Sequence, residues 1–352
     1  MTRKNSKRLA YFESWFHPVA DEILARRPDI QPVRLEYAGD AEANWTAMAE
    51  AHGYQVSART ELRAPWFPGR SMLARCPNLL AVSSTGAGYD VVDVDACTEM
   101  GIIVVNQSGT NKEAVAEHAL GMMLCVSKQM IQSDRALRRD RDWDRGGFTG
   151  REMRGKTVGV VGLGQIGTRT AELCGGLFRM RVLAYDPYLS AEEIRARGAE
   201  KAELADLLRE ADYVSVHCPR TAETLGMFGA AEFAAMKPTA YFVNTARGGI
   251  HDEPALADAL KRGLIAGAGI DVFLDEPPPM DHPLLGLDNV IVSMHIAGIT
   301  EEAREAMAAA AAEQWITIFD GKRAPRIVNP EAWPAYVARF EKILGFKVED
   351  NA

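Results

Sequence analysis

The 352-residue chain has only five cysteines, no C-x-x-C pair and no excess of positive charge. Each shortage excludes something. Cys76, Cys97, Cys125, Cys174 and Cys218 show no metal-ligand rhythm, and each sits in an apolar or helical context. They read as reduced packing thiols of a cytoplasmic protein, and no metal is expected. The net charge of −8 argues against a nucleic acid or an anionic membrane as partner. No run of about 18 apolar residues occurs, so no membrane-spanning helix is expected. The basic opening MTRKNSKR is followed by LAYFESWFHP, which is brief and contains Glu13. It reads as a disordered leader, not a signal peptide. No internal repeat or low-complexity tract is present.

What the chain has instead is alternation of strand-like and helix-period segments. RLAYF (8–12) precedes a helix at 17–27, and PVRLEY (32–37) precedes one at 40–53, with Asp40 as cap and Gly53 as terminator. YQVSA (54–58), a helix at 71–78 and LLAVSS (79–84) follow. One long helix is expected over 112–139, with Val115, Ala119, Met122 and Met123 on its apolar face. A polar, Gly-rich stretch occupies 140–155. Then six runs rich in Val, Ile and Ala appear: 157–162, 181–186, 213–218, 240–245, 266–272 and 289–294. Such runs fit strands buried on both faces of a parallel sheet. A final helix over 300–321 is expected to pack on the first domain. The fold class is α/β, with two doubly wound domains: 1–117 plus 299–352, and 118–298.

KTVGVVGLGQIGTRTAEL places Gly162, Gly164 and Gly167 in G-x-G-x-x-G spacing between a strand and a helix. The first glycine permits a tight turn and the second a close approach to a pyrophosphate. The third permits helix–strand packing, and the helix N-terminus supplies N–H donors. Asp186, 19 residues after Gly167, stands near the offset expected of a carboxylate on a ribose. It repels a 2′-phosphate, which favours NAD over NADP.

Ligands of such sheets bind beyond the carboxyl ends of the strands. There the sequence puts His217, Cys218 and Pro219; Thr245, Ala246 and Arg247; Asp271 and then Glu276; and His295. Oxidising a 2-hydroxy acid needs a base for the hydroxyl proton, and the reverse needs an acid. Histidine serves both. Glu276 would orient the imidazole and favour the imidazolium. Arg247 would hold the substrate carboxylate and polarise the 2-oxo group as a planar fork.

With EMRGKTVGVVGLGQIG, AYDPY, VHCPRTAET, VNTARGGIHDE, AGIDVFLDEPP and the His295 segment in this order, residues 79–320 resemble the D-isomer-specific 2-hydroxyacid dehydrogenase family. The resemblance implies a Rossmann NAD-binding domain inserted in a flavodoxin-like catalytic domain. It implies Arg247, Glu276 and His295 as catalytic residues. It implies cofactor contacts from the glycine loop with Gln165 and Ile166, and from Asp186, Pro187, His217, Cys218, Pro219, Thr245, Ala246, Arg247, Asp271, His295, Ala297 and Gly298. It gives substrate binding to Arg247, His295 and the loop STGAGYDVVD (84–93) at Gly86, Ala87 and Gly88. It makes the polar arm at 140–155 a dimer-forming segment, so a homodimer is expected.

Motif detail is most similar to the 3-phosphoglycerate dehydrogenases, but with departures. Where those usually have Arg-Ala-Gly in the substrate loop, this chain has Ser84-Thr85-Gly86. It ends at 352, short of the regulatory C-terminal domain many of them carry. Met294 stands where Pro commonly precedes the catalytic His. Trp15, Phe16, Trp66 and Phe67, with Arg59, Arg63 and Arg70, are open between packing and lining the substrate cleft. The expected function is interconversion of a 2-hydroxy acid and its 2-oxo acid. A 3-phosphoglycerate dehydrogenase and a hydroxypyruvate or glyoxylate reductase are the specific alternatives. A non-catalytic NAD(H)-sensing corepressor-like protein is the alternative of another class, and the complete Arg247/Glu276/His295 set disfavours it.

Overall fold

A computed structural model describes residues 6–57, 61–141, 143 and 146–349. Arg59, Ala58 at the expected strand end and parts of the polar arm therefore lie outside the described residues. The chain forms two compact units, 1–111 with 300–352, and 112–299. The boundary thus falls at Lys112, not 118, because the helix that begins there packs as a whole with the second unit.

The first unit opens with β1 (Lys7–Phe12), α1 (Val19–Leu24), β2 (Ile30–Leu35), α2 (Ala41–Glu50), β3 (Gly53–Val56), α3 (Arg70–Leu73), β4 (Ala81–Ser84), α4 (Val94–Glu99) and β5 (Ile103–Val105). Its five parallel strands run in the order β2-β1-β3-β4-β5. That is a flavodoxin-like order. Asp40 caps α2 by accepting from Ala43 N at 2.7 Å. Gly53, expected to end that helix, instead begins β3. A Cβ there would lie 2.5 Å from the Trp315 ring, so the glycine makes room for a buried indole.

The second unit begins with α5 (Lys112–Ser127) and α6 (Met130–Asp140). The expected single helix breaks at Gln129, which takes a left-handed φ of 54°. Then follow β6 (Thr157–Val161), α7 (Gln165–Phe178), β7 (Arg181–Tyr185), α8 (Ala191–Ala196), β8 (Glu200–Lys201), α9 (Leu204–Glu210), β9 (Tyr213–Val216), α10 (Ala230–Ala235), β10 (Tyr241–Asn244), α11 (Glu253–Lys261), β11 (Gly267–Ile270) and β12 (Val290–Val292). The seven strands run β12-β11-β10-β9-β6-β7-β8, all pairs parallel, with the order reversing between β6 and β9. This is the Rossmann arrangement, whose switch point lies at that reversal. The short edge strand β8 was not expected from the sequence. α5 lies flat on the sheet through Ala119, Met122, Met123 and Val126, because Gly267 and Gly269 present no side chain to it.

The chain returns to the first unit with α12 (Glu301–Phe319) and α13 (Trp333–Leu344). Thr300 caps α12 by accepting from Ala303 N at 3.1 Å. Its alanine-rich face packs on α1, and Trp315 closes the core.

Candidate active site

The G-x-G-x-x-G turn joins β6 to α7, and each glycine answers to a measurable demand. Gly162 has φ 87°, and a Cβ on it would stand 2.6 Å from Cys218 N. A Cβ on Gly167 would stand 2.0 Å from Gly162 O. Gly164 caps α7 with open space before it, and no side chain caps the helix. Gln165 and Ile166 form the outer face of that first turn. The result is a bare helix N-terminus behind a cleared approach, which suits a pyrophosphate.

Asp186 follows β7. Its carboxylate accepts from Leu163 N at 3.0 Å and Tyr188 N at 3.1 Å, which fixes it against the glycine turn. Pro187 beside it is exposed. At the end of β9, Ser215 Oγ and His217 Nε2 are 2.8 Å apart. Burial pushes the His217 imidazole down to about 4 and the Cys218 thiol up to about 11. Both are therefore neutral near pH 7, and Cys218 is no nucleophile. Pro219 is exposed next to them. Thr245, after β10, is buried, yet its Oγ1 has no partner among the described residues. A buried hydroxyl with no protein partner leaves room for a ligand contact.

Asn244 shapes the turn that carries Arg247. Its Oδ1 accepts from Ala246 N at 2.9 Å, and its amide donates to Arg247 O at 3.0 Å. Gly248 must be glycine, because a Cβ there would stand 1.8 Å from Phe273 O. This close approach brings the Arg247 turn against the segment that leads to Glu276. Arg247 itself donates to Ala246 O at 2.7 Å.

Glu276 accepts from Phe273 N at 3.1 Å and meets His295 Nδ1 at 2.9 Å. Burial works to raise the Glu276 carboxyl, but the hydrogen bond and charge of His295, the Phe273 N–H and the charge of Arg247 outweigh it. The carboxyl is held below its ordinary range. With Nδ1 facing Glu276, Nε2 is the ring nitrogen left to face a ligand. The imidazole is 36% exposed and the carboxylate 17%, so the pair sits at a surface that a small molecule can reach.

His295 lies three residues beyond β12, not at its end, and has a left-handed φ of 56°. Such a conformation in a non-glycine residue needs support from its surroundings. Asp271 supplies it. Its backbone carbonyl accepts from His295 N at 2.8 Å, and its carboxylate accepts from Ile296 N at 2.9 Å and Ala297 N at 3.0 Å. Ser293 Oγ also donates to that carboxylate, and His118 Nε2 lies 3.0 Å from the same Oγ. The Asp271 side chain is fully buried, so it holds the loop from behind while Ala297 and Gly298 continue along it. Asn244, Gly248, Ser293 and His118 were missed from the sequence. ARGG after a strand was a legible signal for Gly248; nothing local marked the others.

In the first unit, the loop Ser84–Gly88 is held by its carbonyls. Gly86 O accepts from Gln107 N at 2.9 Å, Ala87 O accepts from Asn106 Nδ2 at 2.8 Å, and Gly88 O accepts from Ser84 Oγ. The Ala87 and Gly88 N–H groups have no acceptor among the described residues. Trp66 is core, 4% exposed and packed on Trp45 and Phe12. Arg63 lies over the Tyr37 ring, and Arg70 pairs with Glu99 at 2.6 Å.

Residues 120–297 match the family described as D-isomer specific 2-hydroxyacid dehydrogenase, NAD binding domain. D-3-phosphoglycerate dehydrogenase of Archaeoglobus fulgidus is 42% identical over 252 residues, 72% of this chain and 47% of that protein. Glyoxylate reductase of Thermofilum pendens is 40% identical over 259 residues, 72% of this chain and 76% of that one. The chain thus spans about half the length of the phosphoglycerate dehydrogenase it matches. D-lactate dehydrogenase of Aquifex aeolicus, solved with NAD and lactic acid, superposes with TM-score 0.78 at 27% identity, covering 91% of this chain and 98% of that one. The glycine turn, the Asp186 carboxylate and the His295–Glu276 pair all fall within the matched span, and the chain belongs to the D-isomer-specific 2-hydroxyacid dehydrogenase family.

Proposed function

We propose that the protein interconverts a 2-hydroxy acid and its 2-oxo acid with NAD, and that His295 is the general acid and base. The observation that carries this reading is the 2.9 Å pair between His295 Nδ1 and Glu276 on an exposed, left-handed loop. In the oxidation, His295 Nε2 takes the hydroxyl proton, and Glu276 stabilises the imidazolium through Nδ1–H. In the reduction, the same Nε2 returns a proton to the oxygen at C2. Arg247 holds the substrate carboxylate and polarises the 2-oxo group. In the first unit, the N–H groups of Ala87 and Gly88, which have no acceptor among the described residues, with Gly86 shaping the turn, would make a second carboxylate-binding element.

NAD, when bound, accepts the hydride from C2 or supplies it. Residues 112–299 would hold it through Gly162, Gly164, Gln165, Ile166 and Gly167 at the pyrophosphate and through Asp186 and Pro187 at the ribose. His217, Cys218, Pro219, Thr245, Ala246, Ala297 and Gly298 would form the remaining walls, with Asp271 acting through the loop it supports. The buried, unpartnered Thr245 hydroxyl and the cleared helix N-terminus fit that assignment.

The same reading takes the protein as a cytoplasmic homodimer without nucleic-acid or membrane partners. The exposed Met130, Leu137 and Trp143 on and beside α6 support a partner subunit there. The net charge of −8 supports the rest. Among the described residues no helix is long and apolar enough to cross a membrane.

The test is NADH oxidation with a panel of 2-oxo acids, for wild type and for His295→Ala. Turnover should fall by about 10²–10⁴-fold in the variant. Near-normal turnover would remove His295 from the chemistry, and no turnover of any 2-oxo acid by wild type would favour a nucleotide-sensing protein.

A further inference from the structure

His251, Asp252 and Glu253 lead from the Arg247 turn into α11, all within the second unit. Main-chain bonds fix this segment on Phe228. Phe228 N donates to Ile250 O at 3.1 Å, and Asp252 N donates to Phe228 O at 2.9 Å. Asp252 then caps α11 by accepting from Ala255 N at 2.7 Å. From here two side chains reach two different loops.

His251 is 1% exposed, and its Nδ1 lies 2.9 Å from Asn244 Nδ2. Two main-chain groups orient that amide, with Ala246 N on its oxygen and Arg247 O on its nitrogen. An amide nitrogen only donates, so Nδ1 accepts and the ring carries its proton on Nε2. Burial pushes the imidazole down to about 4, which keeps it neutral near pH 7. Nε2 is buried without an acceptor among the described residues. An apolar side chain would leave no such orphan donor, so packing alone does not call for a histidine. What the histidine adds is an acceptor that locks the amide holding the Arg247 carbonyl.

Glu253 Oε1 accepts from Leu274 N at 2.7 Å, and Oε2 accepts from His282 Nε2 at 2.9 Å. His282 accepts from Leu284 N through Nδ1 at 3.4 Å, and its ring meets Phe273 edge-on at 5.3 Å. The Glu253 and His282 side chains are 11% and 7% exposed, so the pair is not one of the weak surface kind. Adjacent amides thus serve two carboxylates: Phe273 N holds Glu276, and Leu274 N holds Glu253. The loop that carries Glu276 is pinned before it at Leu274 and after it at His282.

We propose that His251 and Glu253 are positioning residues: from one fixed segment, His251 sets the Arg247 turn through Asn244, and Glu253 sets the Glu276 loop through Leu274 and His282. The proposal rests on the reading of the chain as a 2-hydroxyacid dehydrogenase. There, Arg247 grips the substrate carboxylate while the His295–Glu276 pair moves a proton, so the two must keep one spacing. Misplacement by about 1 Å costs up to about 10²-fold in such a site.

The test is steady-state kinetics of the full chain with NADH and glyoxylate, pyruvate or hydroxypyruvate, whichever wild type turns over fastest. NADH affinity is measured beside it by fluorescence titration. His251→Leu should raise KM for the acid by about tenfold, more than it lowers kcat. Glu253→Asp, whose shorter side chain pulls on the loop, should lower kcat by about tenfold with less effect on KM. NADH affinity should stay at the wild-type value in both. His251→Asn, which offers an acceptor oxygen in place of Nδ1, should recover most of the first loss. Glu253→Gln, which keeps an oxygen for Leu274 N–H at full length, should recover most of the second. His251→Val and His282→Leu replace the two damaging variants if either does not fold. Unchanged constants in a folded variant, or no recovery in its conservative counterpart, overturn that residue's role and leave the dehydrogenase reading intact. A parallel loss of NADH affinity overturns the proposal as well, since it marks general damage to the unit. No turnover of any of the three acids by wild type overturns the dehydrogenase reading itself.

Discussion

At the residue scale, His295 presents one imidazole with two unequal faces. Nδ1 is committed to Glu276, so the ring is oriented, and the proposed proton transfer falls to its other nitrogen. The sequence placed His295, Glu276 and Arg247 in the segments that follow apolar runs, and the structure brings His295 and Glu276 together there. The sequence left Ser293, His118 and Asn244 illegible, because they act on backbone brought near only by folding. Asp271 was legible as a site residue, but its manner of acting was not. A buried carboxylate whose oxygens are occupied by protein donors supports a loop and does not face a ligand. Asp186 gives the residue-scale prediction. Asp186→Asn keeps an oxygen for the Leu163 N–H and removes the charge that opposes a 2′-phosphate. The ratio of kcat/KM for NADP to that for NAD should rise by at least about tenfold, since like charges at close range cost several kcal/mol. An unchanged ratio would detach this carboxylate from the ribose.

At the scale of elements, patterning located most strands and helices but not their ends. Propensity alone continues α5 through to 139. The break at Gln129 comes from tertiary structure, and Gly150 packs there so closely that a Cβ would stand 2.7 Å from Ser127 O. Gly53 reads locally as a helix terminator, yet its partner, Trp315, lies 262 residues away in sequence and no local pattern reveals it. β5 and β8 are only three and two residues long, and α13, although its buried Trp333, Tyr336 and Phe340 recur at helical spacing, was not anticipated either. Gly53→Ala tests this account. A methyl group 2.5 Å from a fully buried indole forces either β3 or α12 to shift. Stability should fall by about 1–3 kcal/mol, the usual cost of overpacking a core. Thermal unfolding measures it, and an unchanged Tm would mean the indole has room to move.

At the scale of the whole molecule, two sheets with different strand orders are built by one alternating pattern, and the second is inserted into the first. The second unit also carries a signature in pH. His217 and His251 are both held near a pKa of about 4 by burial, and both are neutral when folded near pH 7. Their unfolded values lie near the ordinary 6.5, so between about pH 6.5 and 4 the unfolded chain binds more protons than the folded one. Stability should therefore be full above that window and decline as pH falls through it. The depressed Glu276 carboxyl adds to the loss at the acid end, in the same direction. Denaturant midpoints between pH 7.5 and 4.5 should show the decline, and His251→Gln should flatten its slope. A slope unchanged by that variant would assign the pH dependence elsewhere.

The loop Ser84–Gly88 has one more consequence. Its carbonyls at Gly86, Ala87 and Gly88 are tied to protein donors, and the N–H groups of Ala87 and Gly88 belong to the main chain, so a carboxylate held there as proposed would be gripped by backbone. Substitution of the Ala87 side chain would leave that grip in place, whereas Ser84, whose hydroxyl donates to Gly88 O, is the side chain on which the shape of the loop depends.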